Sequence, residues 1–267
     1  MKKAVPYLFI ILLLTIGAWY FFTKDPDPVH QLPEELVPPE MPVVSQPEQL
    51  TEPDITYPVV EPEPEIVPEP LPPLFESDTA VKQELEVIVG SEPLANYLVK
   101  DQAISRMVST IDSLTARQVP PPINPVRSVP GTFVVETVGD RTVMSEENFA
   151  RYNAYVDLLN TAETDSILAT YRHFYPLFQQ AWEENGKRGS FNDRLLEVID
   201  ELLMTPDVPG PVYLTKPEAV YLFDNPDLEA LSAGQKILIR MGNANASVVK
   251  DKLLDIRSRL VSENEVF

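Results

Sequence analysis

Ser247 and Lys250 stand at the serine-x-x-lysine spacing of acyl-serine enzymes that act on cell-wall peptides. The rest of that constellation is missing. No lysine-threonine-glycine element occurs, and the serine-x-asparagine Ser262 Glu263 Asn264 comes only twelve residues later, close to the C-terminus. The pair reads as a capping serine and a solvated lysine. His173 is the one histidine after residue 30, and it stands beside Phe174 and Tyr175. A single histidine cannot build a multi-histidine metal site, and in a chain without cysteine it has no thiol to activate. It reads as a packed or partly exposed member of an aromatic helix.

Glu183, Glu184, Asp200 and Glu201 are the acids that could supply the two carboxylates of a glycosidase, which must be held a fixed distance apart with separated pKa values. All four fall on predicted helices of an acidic chain, where solvated-face and capping roles account for them. No Walker loop, dinucleotide fingerprint or calcium loop is present, so neither a cofactor nor a metal is expected. The last cluster runs from Leu228 to Asn245. Lys236 and Arg240 form a basic i,i+4 edge there, Gly242 suits a left-handed C-cap, and Asn245 can cap the next helix. His173, Trp182, Lys236, Arg240 and Asn245 are therefore the candidate interaction residues.

The charge pattern narrows the partners further. The 267 residues carry a net charge of −20, and residues 25–73 alone contribute twelve acidic side chains and no Lys or Arg. Such a chain repels nucleic-acid phosphates, so no nucleic acid is expected as a ligand. The absence of cysteine excludes disulfides and thiolate metal sites.

These residues must be positioned by helices. Val81, Leu85 and Ile88 recur at helical spacing after Asp78, which can serve as their N-cap, and Gly90 ends that run. Ser91 and Pro93 suit a second helix start. Ile104, Val108, Ile111 and Leu114 or Thr115 mark a further helix that must stop before Pro120. Phe133–Val138 and Arg141–Met144, joined through Gly139 and Asp140, read as a β-hairpin and as the one clear sheet element. Ser145 then caps a helix bearing Phe149, Tyr152, Val156 and Leu159. From Asp165, residues Ile167, Tyr171, Phe174 or Tyr175, Phe178 and Trp182 form an aromatic stripe that Pro176 should kink and Gly186 should end. Ser190 opens a third helix carrying Phe191, Leu195, Ile199 and Leu202. Short extended pieces are read at Val212–Leu214 and Val220–Phe223, then a helix from Ser232 to Met241 and a last one over Ala246–Val261. The fold class is mostly α, a helical bundle with one small hairpin.

Ahead of this domain lies a different kind of sequence. From Ala4 to Phe22 only Pro6, Thr15 and Gly17 interrupt an apolar run, about 19 residues at 1.5 Å rise against a hydrocarbon core of roughly 30 Å. Lys2 and Lys3 precede it and place the N-terminus in the cytoplasm. A cleaved signal peptide has the same opening, but this run is long for one and offers only Thr15 and Gly17 as small residues near a cleavage site. Fifteen of the 28 prolines fall within residues 25–73. Each fixes φ and removes a donor, so this stretch favours extended conformations reaching on the order of 150 Å at about 3.1 Å per residue. The expected division is a cytoplasmic tip and signal anchor over 1–24, a disordered stalk over 25–76, a helical domain over 77–262 and a frayed tail over 263–267.

The anchor, the Pro-Glu spacer, the phrase Tyr171–Gly186 with Pro176 Leu177, the Phe191–Leu203 helix and the segment Leu228–Asn245 with Arg240 Met241 Gly242 together form a recognisable pattern. Over roughly residues 74–260 the chain resembles an uncharacterised proteobacterial family of membrane-anchored proteins known as a domain of unknown function. That resemblance implies a Gram-negative inner membrane and a periplasmic domain, and it implies no catalytic residues. The expected function is a membrane-anchored periplasmic binding or scaffolding module that is not an enzyme. Its partners would be the lipid bilayer, through the N-terminal helix, and an envelope protein or cell-wall component. The alternative is an envelope hydrolase or modifying enzyme using paired carboxylates.

Overall fold

A computed structural model describes residues 70–91, 101–118, 125, 127, 129–161, 163–218 and 220–264. The expected span Ala4–Phe22, the stalk up to residue 69 and the helix start after Ser91 lie outside the described residues. No helix among those described is long and apolar enough to cross a membrane. After a 3₁₀ turn at Leu74–Glu76 come α1 (Asp78–Val89), α2 (Ala103–Ser113), β1 (Val135–Val138), β2 (Arg141–Met144), α3 (Glu147–Ala150) and α4 (Asn153–Thr161). There follow α5 (Thr164–Glu184), α6 (Phe191–Leu203), β3 (Tyr213–Thr215), β4 (Leu222–Phe223), α7 (Pro226–Ala230), α8 (Ala233–Arg240) and α9 (Asn243–Asn264).

The helical body is built on α2, α4, α5, α6, α8 and α9, whose apolar stripes close one core. Tyr171, Phe174 and Phe178 of α5 are fully buried, and the Phe178 ring stacks on Phe191 of α6 at 5.6 Å. Each such ring removed from water contributes roughly 1.5–3 kcal/mol. The turn between α5 and α6 is tight because Gly186 takes φ +74° and two bonds close behind it, Gly186 N to Glu183 O and Lys187 N to Trp182 O. Ser190 then caps α6 by accepting from the Asn192 amide at 3.1 Å. Helix α5 runs on through Pro176, which cannot donate to the Arg172 carbonyl.

Two local expectations are corrected. Asp78 is a cap, but of α2 rather than of its own helix: its carboxylate accepts from Gln102 N at 2.7 Å and Ala103 N at 2.8 Å. Gln102 sits at φ 55° and makes no side-chain cap itself, so a carboxylate from 24 residues upstream takes over the exposed donors. The helix expected after Ser145 is split into α3 and α4. At the break the Arg151 guanidinium reaches Pro130 O and Gly131 O, tying the turn to the chain ahead of β1.

The expected hairpin is present with the two-residue turn Gly139 Asp140, but it is half of a larger sheet. The four strands lie in the order β1-β2-β3-β4, all antiparallel, with Val138 opposite Arg141, Val143 opposite Tyr213 and Leu214 opposite Phe223. One face packs Met144, Leu214 and Phe223 with Ile239 of α8 in a second, smaller core. The opposite face carries Glu136, Val138 and Val143, as strand alternation requires.

Candidate functional site

Where the hairpin meets the joint between α8 and α9, a groove of about 740 Å³ opens. Glu136, Val138 and Val143 line it from the hairpin, Phe149 and Asn153 from α3 and α4, and Met241 to Asn245 from the joint. Its size falls within the range of roughly 300–1,000 Å³ typical of ligand sites. Among the described residues its charged members are Glu136 and Glu146, both acidic, and no Lys or Arg lines it. Val138 is 53 % exposed, an apolar side chain left open at the groove.

Polar clamps set the groove's shape. Gly242 takes φ +81°, and a Cβ there would come within 2.7 Å of the Phe149 ring, so only glycine lets the joint close against α3. The Asn245 amide donates to Phe149 O at 3.0 Å, to Asn153 Oδ1 at 3.2 Å and to Met241 O at 3.1 Å. Asn243 pairs with the backbone of Val208 in both directions, accepting from its N–H at 3.3 Å and donating to its carbonyl at 3.0 Å. Asn148 does the same for Val134, at 2.9 and 2.7 Å, and so fixes the root of the hairpin on α3. These side chains supply the backbone partners that strands this short cannot supply for one another.

On the other side of the sheet the residues expected to form a basic edge are enclosed. Lys236 is 3 % and Arg240 4 % exposed. The Lys236 ammonium donates to Glu229 Oε1 at 2.9 Å, while Glu229 Oε2 accepts from Phe223 N at 2.9 Å. Arg240 lies over the Phe223 ring at 4.9 Å. Burial lowers the Arg240 pKa, with Tyr152 and Glu229 opposing that shift. Burial also pushes the Tyr152 phenol up to about 12, against the pull of Arg240 and Arg151. All eight residues of α8 are buried, so this helix has no outer face on which to display charge. Its start is also packed tightly, because Gly234 N donates to Leu114 O and a Cβ on Gly234 would strike the Leu202 side chain.

The other sequence candidates are scattered. His173 is exposed, edge-on to Phe174 at 4.8 Å, whereas Trp182 is buried and donates to Arg188 O. The aromatic stripe is core, not surface. Asn245 alone of the five lies in the groove, as a clamp within α9 rather than as its cap. Ser247 is exposed inside α9, and Lys250 is not solvated as expected, since it donates to Thr205 O and Asp207. Asp200 pairs with Arg257, Glu183 and Glu184 accept from Gln179 and Gln180, and none of the four acids lines the groove. No group of three or more metal-binding side chains occurs among the described residues. Sequence reading missed Phe149, Gly242 and Asn243 as one constellation. The available signal is Gly242 followed by Asn243 and Asn245, of which Gly242 reads as a C-cap and Asn245 as a cap of the next helix.

A family model described as "Protein of unknown function (DUF3014)" matches residues 103–257, a stretch that includes every residue lining the groove. No curated protein and no solved structure matches the chain.

Proposed function

We propose, from the premise that the chain belongs to the DUF3014 family of unknown function, that it is a periplasmic binding module tethered to a bacterial inner membrane. The observation that carries this reading is the groove: an open, mainly apolar recess with acidic members, held in shape by Asn148, Asn243 and Asn245 and closed against Phe149 at Gly242. A site whose walls are already clamped loses little freedom on binding. The tether is supported by the sequence, through the apolar run Ala4–Phe22, the Lys2 Lys3 pair before it and the proline-rich acidic stretch after it. Holding a module near its target raises its effective concentration there, which lets a weak groove bind usefully.

The test is proximity cross-linking with mass spectrometry in native membranes, comparing the full-length protein with one whose residues 25–73 are shortened by half. Recovery of an envelope partner that is lost on shortening is the expected result. Indistinguishable cross-links from both proteins, at background level, would remove the basis for a tethered module.

A further inference from the structure

We infer that the groove receives an extended basic peptide, which adds as a fifth strand to the free edge of β1; this rests on the binding-module reading above. Among the described residues, β2 is flanked by β1 and β3, whereas β1 has a neighbour on one side only. The hairpin register decides which backbone groups remain available. Val138 opposite Arg141 closes the two-residue turn as a hydrogen-bonded pair, and Val134 O accepts from Ser145 N at the other end. By alternation, Val135 and Thr137 point their N–H and C=O groups away from β2. They carry no hydrogen bond to a described residue on that side. A strand laid along this edge places alternate side chains on the face of Glu136 and Val138, over the groove.

Charge selects the sequence of that strand. The groove is lined by Glu136 and Glu146 with no Lys or Arg, and Val138, at the turn end of β1, offers an exposed apolar contact. Lys or Arg side chains of an incoming strand meet the two carboxylates, and its β-branched or aliphatic side chains cover Val138. An acidic strand meets like charge at Glu136 and Glu146, and the nearby Arg141, opposite Val138, is already paired with Asp224. β1 is only four residues long, so few backbone pairs form and binding is weak and fast, in keeping with a tethered module.

The probe is an octapeptide of alternating Lys and Val, labelled with fluorescein and titrated by anisotropy onto the full-length protein in detergent. Two twins accompany it: a Glu-Val octapeptide, and the Lys-Val peptide N-methylated at every second amide. Saturable binding of the Lys-Val peptide is expected, with each twin weaker by about tenfold or more. The doubly substituted protein Glu136→Lys/Glu146→Lys reverses the preference and binds the Glu-Val peptide more tightly, a gain that misfolding cannot produce. Amide exchange at Val135 and Thr137 slows on binding. Equal binding of the N-methylated peptide, equal binding of the acidic one, an unchanged preference in the double variant, or no saturation up to about 1 mM would each overturn the inference. A stalk-dependent envelope partner found by cross-linking alongside a silent Lys-Val peptide would sink the peptide class and leave the module standing. A bound peptide with no cross-linked partner would do the reverse.

Discussion

The helical body and the small sheet are held together by different means. The body rests on area: Tyr171, Phe174, Phe178 and Phe191 are interleaved in a core that the apolar stripes of six helices surround. The sheet has a five-residue core, Met144, Val212, Leu214, Phe223 and Ile239, and depends on side chains that bond to backbone. Asn148, Asn243 and Asn245 hold three separate chain crossings, and Glu229 ties buried Lys236 to the β4 backbone. A region fastened by a few directional bonds can open without melting its neighbour, whereas a packed core gives way as a whole. The groove lies in the first kind of region.

That contrast can be broken most strongly in the body. Phe174→Ala removes a fully buried ring and should cost about 3–5 kcal/mol, lowering the single melting transition of the whole domain by calorimetry. Gly242→Ala should cost about 2–4 kcal/mol, from a β-carbon forced against the Phe149 ring and a residue held at positive φ. Its signature is local, with amide exchange accelerated in β1, β2 and α3 while α5 and α6 stay protected. The same protection throughout the molecule in this variant would erase the distinction between the regions.

Alkali probes the seam between them. Tyr152, in the main core with Arg240 pulling against the shift, is pushed up to about 12 from an ordinary 10, and Tyr171 of α5 is raised well above its ordinary value, in both cases first through burial. A phenol with a raised folded pKa contributes stability that is complete below about pH 10 and lost as pH climbs towards 12, about 2–3 kcal/mol for Tyr152. Absorbance at 295 nm should therefore show these phenols ionising together with loss of helix by circular dichroism, while exposed tyrosines titrate earlier. Smallest of all, Ser232→Ala removes one half of the capping box with Gln235 at the start of α8 and should cost about 1 kcal/mol in urea denaturation.

The same division governs what could be read in advance. The faces of α2, α5, α6 and α9 were legible because core-facing residues recur at helical spacing, and the hairpin because Gly139 Asp140 lies between two β-branched runs. β3 and β4 show in the sequence as short extended pieces, but they are three and two residues long and β3 pairs with β2 across some seventy residues, so no local pattern announces that they join the hairpin in one sheet. Lys236 and Arg240 misled because two cations at i,i+4 normally mark an outer face. Helix α8 is eight residues long and covered on every side, and its charges are accommodated by Glu229 and by the Phe223 ring. Asn245 was singled out for the wrong task. An asparagine before a helical run resembles a cap, and only the neighbouring α3–α4 break turns its amide into a clamp.

The reach of Asp78 across to α2 has a mechanical side. Tension arriving from the N-terminal direction enters at Leu74, which is seated in the main core, and passes into α1. There the carboxylate of Asp78 shunts it to the first amides of α2, whose flank lies on α5, so the pull is shared among the longest-packed helices. The hairpin is off this line of force. Under the tether proposed above, a pull on the chain would therefore load the helical body before the hairpin and its groove.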